Sequence, residues 1–334
     1  MFPPSPIFTE KDIPSQEGRV FLITGGSAGI GFELAKALYH LNGRVYITSR
    51  TESSAQKAIS SIQTSSPHPS QQVKAGSGSI QYLLLNLSDL STVKATAEQF
   101  LSKEKRLDII WHNAGTMVPS DPNETTAQGY HQQIGINVLA PFLLQHFLTP
   151  LVLNTAALPF TPKNSVRVIF VSSSAHRASP PPDGVAWDDI NLDKTEKVGS
   201  RKEIERYGQS KAMNVMQAHE FARRYHDRGI ISLSLHPGAL STGLQKHLPG
   251  WFNAVFGLLR KEPRFGALTE LFAGIGDIGE GEEKMLEQGG RNGSYILPWG
   301  RWGEGSKEVF EGLKERGTGE RLWGICEEMV KEFM

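Results

Sequence analysis

Residues 19–31 read Arg19-Val-Phe-Leu-Ile-Thr24 and then Gly25-Gly-Ser27-Ala-Gly29-Ile30-Gly31. A short apolar run bounded by a glycine-rich turn predicts a buried strand. Ile30, Leu34, Leu38 and Leu41 follow on one helical face, so a helix opens where the glycines end and stops at Asn42-Gly43. Strand, turn and helix in this order set the helix N-terminus, with its unpaired N–H groups and positive dipole end, beneath the turn. Gly25, Gly29 and Gly31, with Ser27 among them, let the backbone approach a pyrophosphate closely. The spacing is G-x-x-x-G-x-G, not G-x-G-x-x-G, and a glycine-rich turn without a ligand is the alternative.

Outward from this stretch, apolar runs alternate with amphipathic ones, the signature of a parallel sheet flanked by helices. Strands are expected at Arg44 to Ser49, Ile80 to Asn86, Leu107 to Trp111, Val166 to Ser172, Ile230 to His236 and Gly293 to Leu297. Helices are expected at Glu52 to Ser61, Ser91 to Leu101, from about Asn137, and over Ile204 to Arg228. The fold class is therefore α/β: a doubly wound, mainly parallel sheet of about seven strands with helices on both faces. Thr64 to Ser79, rich in Ser, Pro, Gln and Gly, reads as a surface insertion. The expected organisation is an N-terminal extension over 1–18 and one domain over 19–334. Within that domain a lid falls at about 243–265 and C-terminal helices at about 304–333.

The 334 residues carry 35 Lys+Arg against 35 Asp+Glu, a net charge of zero, and 39% of them are hydrophobic. No excess of positive charge points to nucleic acid or an anionic membrane. Cys326 is the one cysteine, so no intrachain disulfide can form and a reducing, cytoplasmic setting is expected. No ligand cluster suggests a metal. Val138 to Phe160 is greasy but interrupted by Pro141, Gln145, His146, Pro150, Asn154 and Pro159, so a buried helix plus a loop is expected rather than a transmembrane span. Leu322, Trp323, Cys326, Met329, Val330 and Phe333 keep helical spacing, making Cys326 a small buried hydrophobe.

Candidate ligand contacts gather at the strand ends. The second strand closes Thr48-Ser49-Arg50 with no acid before Glu52, so Arg50 can pair with a ribose 2′-phosphate; this favours NADP(H) over NAD(H). A solvated helix-start arginine is the alternative. Asn86-Leu87 ends the third strand and can meet an adenine, and Asn113-Ala114-Gly115 after the fourth leaves room for a ribose. Tyr207 and Lys211 lie four residues apart on one helix face, and a lysine charge favours the phenolate. Val171-Ser-Ser-Ser174 offers hydroxyls at the sheet edge, with Ser173 chosen, and Asn137 can hold a water that links Lys211 to solvent.

Thr24-Gly25-x-x-x-Gly29-Ile30-Gly31, Asn113-Ala114-Gly115, Asn137, Ser173, Tyr207-x-x-x-Lys211 and Pro237-Gly238-x-x-x-Thr242 together resemble the short-chain dehydrogenase/reductase family in its non-extended form, over about Arg19 to Thr242. Trp187-Asp-Asp-Ile-Asn191 and Tyr295-Ile-Leu-Pro-Trp-Gly300 are similar to its retinol-dehydrogenase and WW-domain-oxidoreductase-like branch, which includes fungal enzymes of secondary metabolism. The resemblance implies a Rossmann fold and NADP(H)-linked interconversion of carbonyl and alcohol. In it Ser173 polarises the carbonyl, Tyr207 exchanges the proton, Lys211 lowers the tyrosine pKa and holds the nicotinamide ribose, and Asn137 completes a relay. Ile30, Asn86, Asn113, Leu240 and Thr242 would line the cofactor. Asn86 stands where the family often has Asp. Ser173 and Tyr207 are 34 residues apart, longer than usual, so a loop of about Ala175 to Glu203 must fold away. The family often forms dimers or tetramers through its two long helices, which the extra loops here can block.

Trp251, Phe252, Val255, Phe256 and Leu259 share one helical face after the Pro237-Gly238 turn. As a lid this face suits a bulky hydrophobic carbonyl or alcohol substrate; core or a dimer interface is the alternative, and Leu258-Leu-Arg-Lys261 permits weak membrane attachment. Two other functions stay open: a non-catalytic NADP-binding regulator on the same fold, and an epimerase or dehydratase with transient cofactor redox.

Overall fold

The computed structural model describes residues 5–69, 71, 72, 76–117, 121, 124–240, 261–279 and 291–334. Alternation of strand and helix runs through it: β1 Val20–Ile23, α1 Gly29–His40, β2 Arg44–Ser49, α2 Glu52–Thr64, β3 Ser79–Leu84, α3 Val93–Lys103 and β4 Ile109–His112. α4 Gln132–Ala156, β5 Val166–Val171, α5 Ser200–Tyr225, β6 Ile230–Leu235, α6 Pro263–Ile275, β7 Tyr295–Leu297, β8 Arg301–Gly303, α7 Lys307–Glu315 and α8 Thr318–Val330 complete it.

The strands form one sheet in the order β3-β2-β1-β4-β5-β6-β7-β8. All neighbours are parallel except β7 and β8, which pair antiparallel with Ile296 opposite Trp302. β8 is thus an eighth strand beyond the seven expected, formed because the chain doubles back at Pro298-Trp-Gly300 onto the sheet edge. β1, β4, β5 and β6 are buried along their whole length, as strands covered on both faces must be. Val168 and Phe170 of β5 face a core built with α3, α4, α5, α7 and α8, and Ile169 and Val171 face one built with α1, α2 and α6. Because β4 lies on the opposite side of β1 from β2, the chain reverses direction across the sheet there. The carboxyl ends of β1 and β4 thus flank the crevice in which sheets of this topology take ligands.

Asp108 locks these central strands together. Its carboxylate accepts from Val20 N (2.8 Å) and from the Arg106 guanidinium (2.7 and 2.8 Å), and its backbone oxygen accepts from Arg167 N at the start of β5. At the N-terminus Ile13 is in the core and Glu10 pairs with Arg264 at 2.7 Å, fastening the extension to α6.

Several sequence expectations are corrected. α4 begins at Gln132, not near Asn137, capped by His131 and passing through a π turn over Gly135–Leu139. It is long and apolar enough to cross a membrane by composition, and 67% of its most apolar window is buried inside the fold. Every residue of α5 from Glu205 to Ala222 is buried, with Leu322, Cys326 and Val330 of α8 in the same core. Residues 263–265, expected in the lid, open α6. Thr242 and the apolar face from Trp251 to Leu259 lie outside the described residues.

Candidate active site

Thr24 joins the two loops that bound the crevice. Its backbone N–H donates to Trp111 O, its Oγ1 accepts from Ala114 N at 3.0 Å, and its carbonyl accepts from Asn113 Nδ2 at 2.8 Å. Gly25 N donates to Thr48 Oγ1, which adds the end of β2. Gly25 and Gly29 take φ of +68° and +58°, conformations that disfavour any side chain. A Cβ on Gly31 would stand 2.6 Å from Asn113 Nδ2 and 2.7 Å from Gly25 O, so the loops close to backbone contact only with glycine there. Ala28, at the N-cap of α1, supplies no side-chain cap, leaving first-turn N–H groups for an anion. On these observations the residues fit a dinucleotide phosphate. Among the described residues no group of three or more His, Cys, Asp or Glu side chains could hold a metal.

Around this turn the remaining candidates fall into two sets. Ser27 is half-buried in the turn, and Ile30, Pro237 and Leu240 are buried while Gly238 is half-buried. Arg50 is exposed at the end of β2. Asn86 Oδ1 is taken by Ser88, accepting from its N–H and its hydroxyl, and Leu87 packs into the core. Both sit just past the end of β3.

The proton-handling groups meet between β5 and α5. Of the three serines after Val171, Ser172 donates its hydroxyl to Lys211 O at 2.7 Å and Ser174 is exposed. Ser173 sits close enough to the Tyr207 phenol for its hydroxyl to favour the phenolate. Lys211 Nζ sits 5.8 Å from the Tyr207 ring centroid and donates to Val171 O at 2.8 Å. A Cβ on Gly115 would be 3.4 Å from the same Nζ, which ties Lys211 to the β4 loop. Burial pushes the Tyr207 phenol up to about 12, opposed by the neighbouring Ser173 hydroxyl, and pushes the Lys211 ammonium down to about 7. Burial disfavours both charged forms, and the ammonium bonds to backbone and amide oxygens rather than to the phenol.

The long connection from Ser173 to Tyr207 folds away from this site. Gln209 holds it by both amide ends, Nε2 to Ile190 O and Oε1 from Ala186 N, each 2.7 Å. Arg206 Nε donates to Asn191 O at 2.9 Å, so the Trp187 to Asn191 stretch lies along α5.

Two residues that sequence reasoning missed support the site. His176 Nε2 accepts from Ser306 N at 2.6 Å, so Nδ1 carries the proton and donates to Ser173 O at 2.5 Å. Asn214 joins Lys211 to Asn137. The latter was legible as a polar residue one turn beyond Lys211 on the same face; the former had no local signal, because its partner lies 130 residues away.

The short chain dehydrogenase family matches residues 19–182. The chain is 37% identical over its full length to a short-chain dehydrogenase/reductase of Phomopsis amygdali, 96% of which is covered. It is also 37% identical over 98% of its length to short-chain dehydrogenase/reductase pkfC of Emericella nidulans, 98% of which is covered. Among solved structures, one protein from Mycobacterium paratuberculosis superposes with a TM-score of 0.68 at 23% identity, over 97% of both chains. The RhlG/NADP active-site complex of Pseudomonas aeruginosa does so with a TM-score of 0.60 at 22% identity, over 86% of this chain and 96% of that one. This chain belongs to the short-chain dehydrogenase/reductase family, a family of oxidoreductases.

Proposed function

We propose that the protein is an NADP(H)-dependent carbonyl reductase, or alcohol dehydrogenase in the reverse direction. Its substrate is a bulky hydrophobic ketone, aldehyde or alcohol, its setting the cytoplasm and the making of a secondary metabolite. The observation that supports this most directly is the convergence of Ser173, Tyr207 and a buried Lys211 between β5 and α5, with Lys211 Nζ 5.8 Å from the Tyr207 ring. The α1 N-terminus and the loops from Gly25 and Asn113 would hold the cofactor, with Pro237, Gly238 and Leu240 along its other side. When bound, NADPH supplies a hydride to the carbonyl carbon.

What this chain's residues do follows from their positions. Ser173 donates a hydrogen bond to the carbonyl oxygen and orients it, and His176 keeps the Ser173 backbone in place. As charge develops on that oxygen, Ser173 and Tyr207 both stabilise it, in a site where burial strengthens each bond. Tyr207 then delivers its hydroxyl proton. Lys211 stands within reach to resupply positive potential to the phenol. A buried phenol pushed to about 12 is a competent donor to an alkoxide and stays protonated until one forms.

Net NADPH consumption across a panel of bulky ketones, with mass detection of the alcohols, tests the reading. Tyr207→Phe is expected to lower turnover by about 10²- to 10⁴-fold while the Kd for NADPH stays within about twofold. Retained turnover removes Tyr207 from the chemistry; cofactor binding without turnover of any carbonyl supports the regulator.

A further inference from the structure

Lys211, Asn214 and Gln217 recur every three residues on the face of α5 turned toward α4, a polar stripe 2–5% exposed inside an apolar core. Lys211 Nζ donates to Val171 O (2.8 Å) and to Asn214 Oδ1 (3.1 Å). Asn214 Nδ2 in turn donates to Asn137 O at 2.7 Å and lies 3.4 Å from Gln217 Oε1. The receiving carbonyl belongs to the π turn of α4. The Asn137 side chain faces the other way, clamping Thr116 N and O (2.8 and 2.9 Å) and donating to Ser210 Oγ. Asn137 therefore does not meet Lys211 with its amide; Asn214 makes the connection.

Resting on the functional reading above, we propose that Asn214 is a positioning residue for Lys211, fixing the corner of the amine at which a proton is gained or lost. Two oxygens face Nδ2, so the amide can present only Oδ1 to the lysine. An ammonium has three N–H donors, and Val171 O and Asn214 Oδ1 take two. A neutral amine keeps two N–H bonds and one lone pair, so both oxygens remain satisfied when the third proton leaves. The other neighbours of Nζ are Gly115 and the Tyr207 ring, on the crevice side. Proton exchange at Lys211 is thus confined to the crevice side, without any change in the buried bonds. The groups packed around Nζ are the Val171 carbonyl from β5, Gly115 from the β4 loop, Asn137 from α4, and Tyr207 and Asn214 from α5, of which Tyr207 is titratable.

The test uses the full chain with ¹³C-labelled lysine, free of cofactor, and follows the Lys211 Cε resonance against pH, assigned with Lys211→Met. Asn214→Leu removes the acceptor from the ammonium and is expected to move the midpoint down by about one pH unit. Asn214→Asp sets a carboxylate beside the ammonium and moves the midpoint up by a similar amount. In turnover the Lys211-governed limb of kcat shifts the same way in each variant, while KM for the ketone stays within about twofold. Should either variant fail to fold, Asn214→Ser, which keeps a small polar group, is expected to fall between Leu and wild type. Midpoints identical to wild type in the folded variants overturn the proposal, whereas a wild type that titrates as expected but turns over no carbonyl overturns the functional reading alone.

Discussion

Arg50 stands exposed at the end of β2, immediately before the Thr51 cap of α2. A guanidinium in this position meets a phosphate with two parallel bonds, which a lysine does not reproduce. Arg50→Asp is expected to reverse the preference from NADPH toward NADH, because the carboxylate accepts from a ribose hydroxyl and repels a 2′-phosphate. The ratio of kcat/KM for the two cofactors measures it, and an unchanged ratio shows that the phosphate is read elsewhere. Residue identities were the most legible part of the site, since Tyr207 and Lys211 share a face by spacing alone. Their ionisation was not legible, because it depends on how deeply α5 is buried and on backbone oxygens such as Val171 O. Sequence singles out Ser173 but does not show what occupies Ser172, whose hydroxyl β5 turns onto Lys211 O.

Among the elements, α6 shows where pattern reading ran out. It was not expected from sequence, since Pro263-Arg-Phe-Gly-Ala-Leu carries weak helix signals and Gly274 breaks the run. Gly274 is there because Trp111 presses on the helix: a Cβ would sit 2.1 Å from its ring, while the indole Nε1 donates to Glu270 O at 2.9 Å. The side chain of Glu270 is fully buried and neither oxygen has a hydrogen-bond partner among the described residues, so burial favours the neutral carboxyl and raises its pKa well above 4.5. Below pH 4.5 the folded and unfolded carboxyls are both protonated and no penalty arises. As pH rises past that value the unfolded group ionises while the folded one does not, so stability falls. Glu270→Met is therefore expected to stabilise the protein by about 1–3 kcal/mol at pH 8 and by less at pH 5. Urea denaturation at the two pH values decides, and equal gains at both would show that the folded carboxyl ionises as it does in the unfolded chain.

On the scale of the whole molecule, the order of alternation was enough to give the sheet and its ligand-binding edge, because both follow from local runs of Val, Ile, Leu and Phe. What could not be read was long-range: the antiparallel return of β8, the Gln209 clamp on the 179–199 stretch, and the covering of α5 by the C-terminal helices. Asp108 is the clearest instance of such a tie, since one carboxylate at 0% exposure serves β1 and Arg106 together. Asp108→Ala leaves Val20 N and the Arg106 guanidinium without their acceptor. It is expected to destabilise folding by about 3 kcal/mol, seen as a lower urea midpoint with little change in m. A change of a few tenths of a kcal/mol would mean that solvent replaces the carboxylate.

The covering of α5 also bears on how the molecule can be watched. Cys326 lies on the inner side of α8, 1% exposed, 4.0 Å from Gln217 and with its thiol pushed up to about 12 by burial. A thiol reagent in solution cannot touch it while α8 lies on α5. Since the chain has one sulfhydryl, each labelling event marks one lifting of that helix, and the native protein carries its own clock for the opening of the wall behind Lys211 and Asn214.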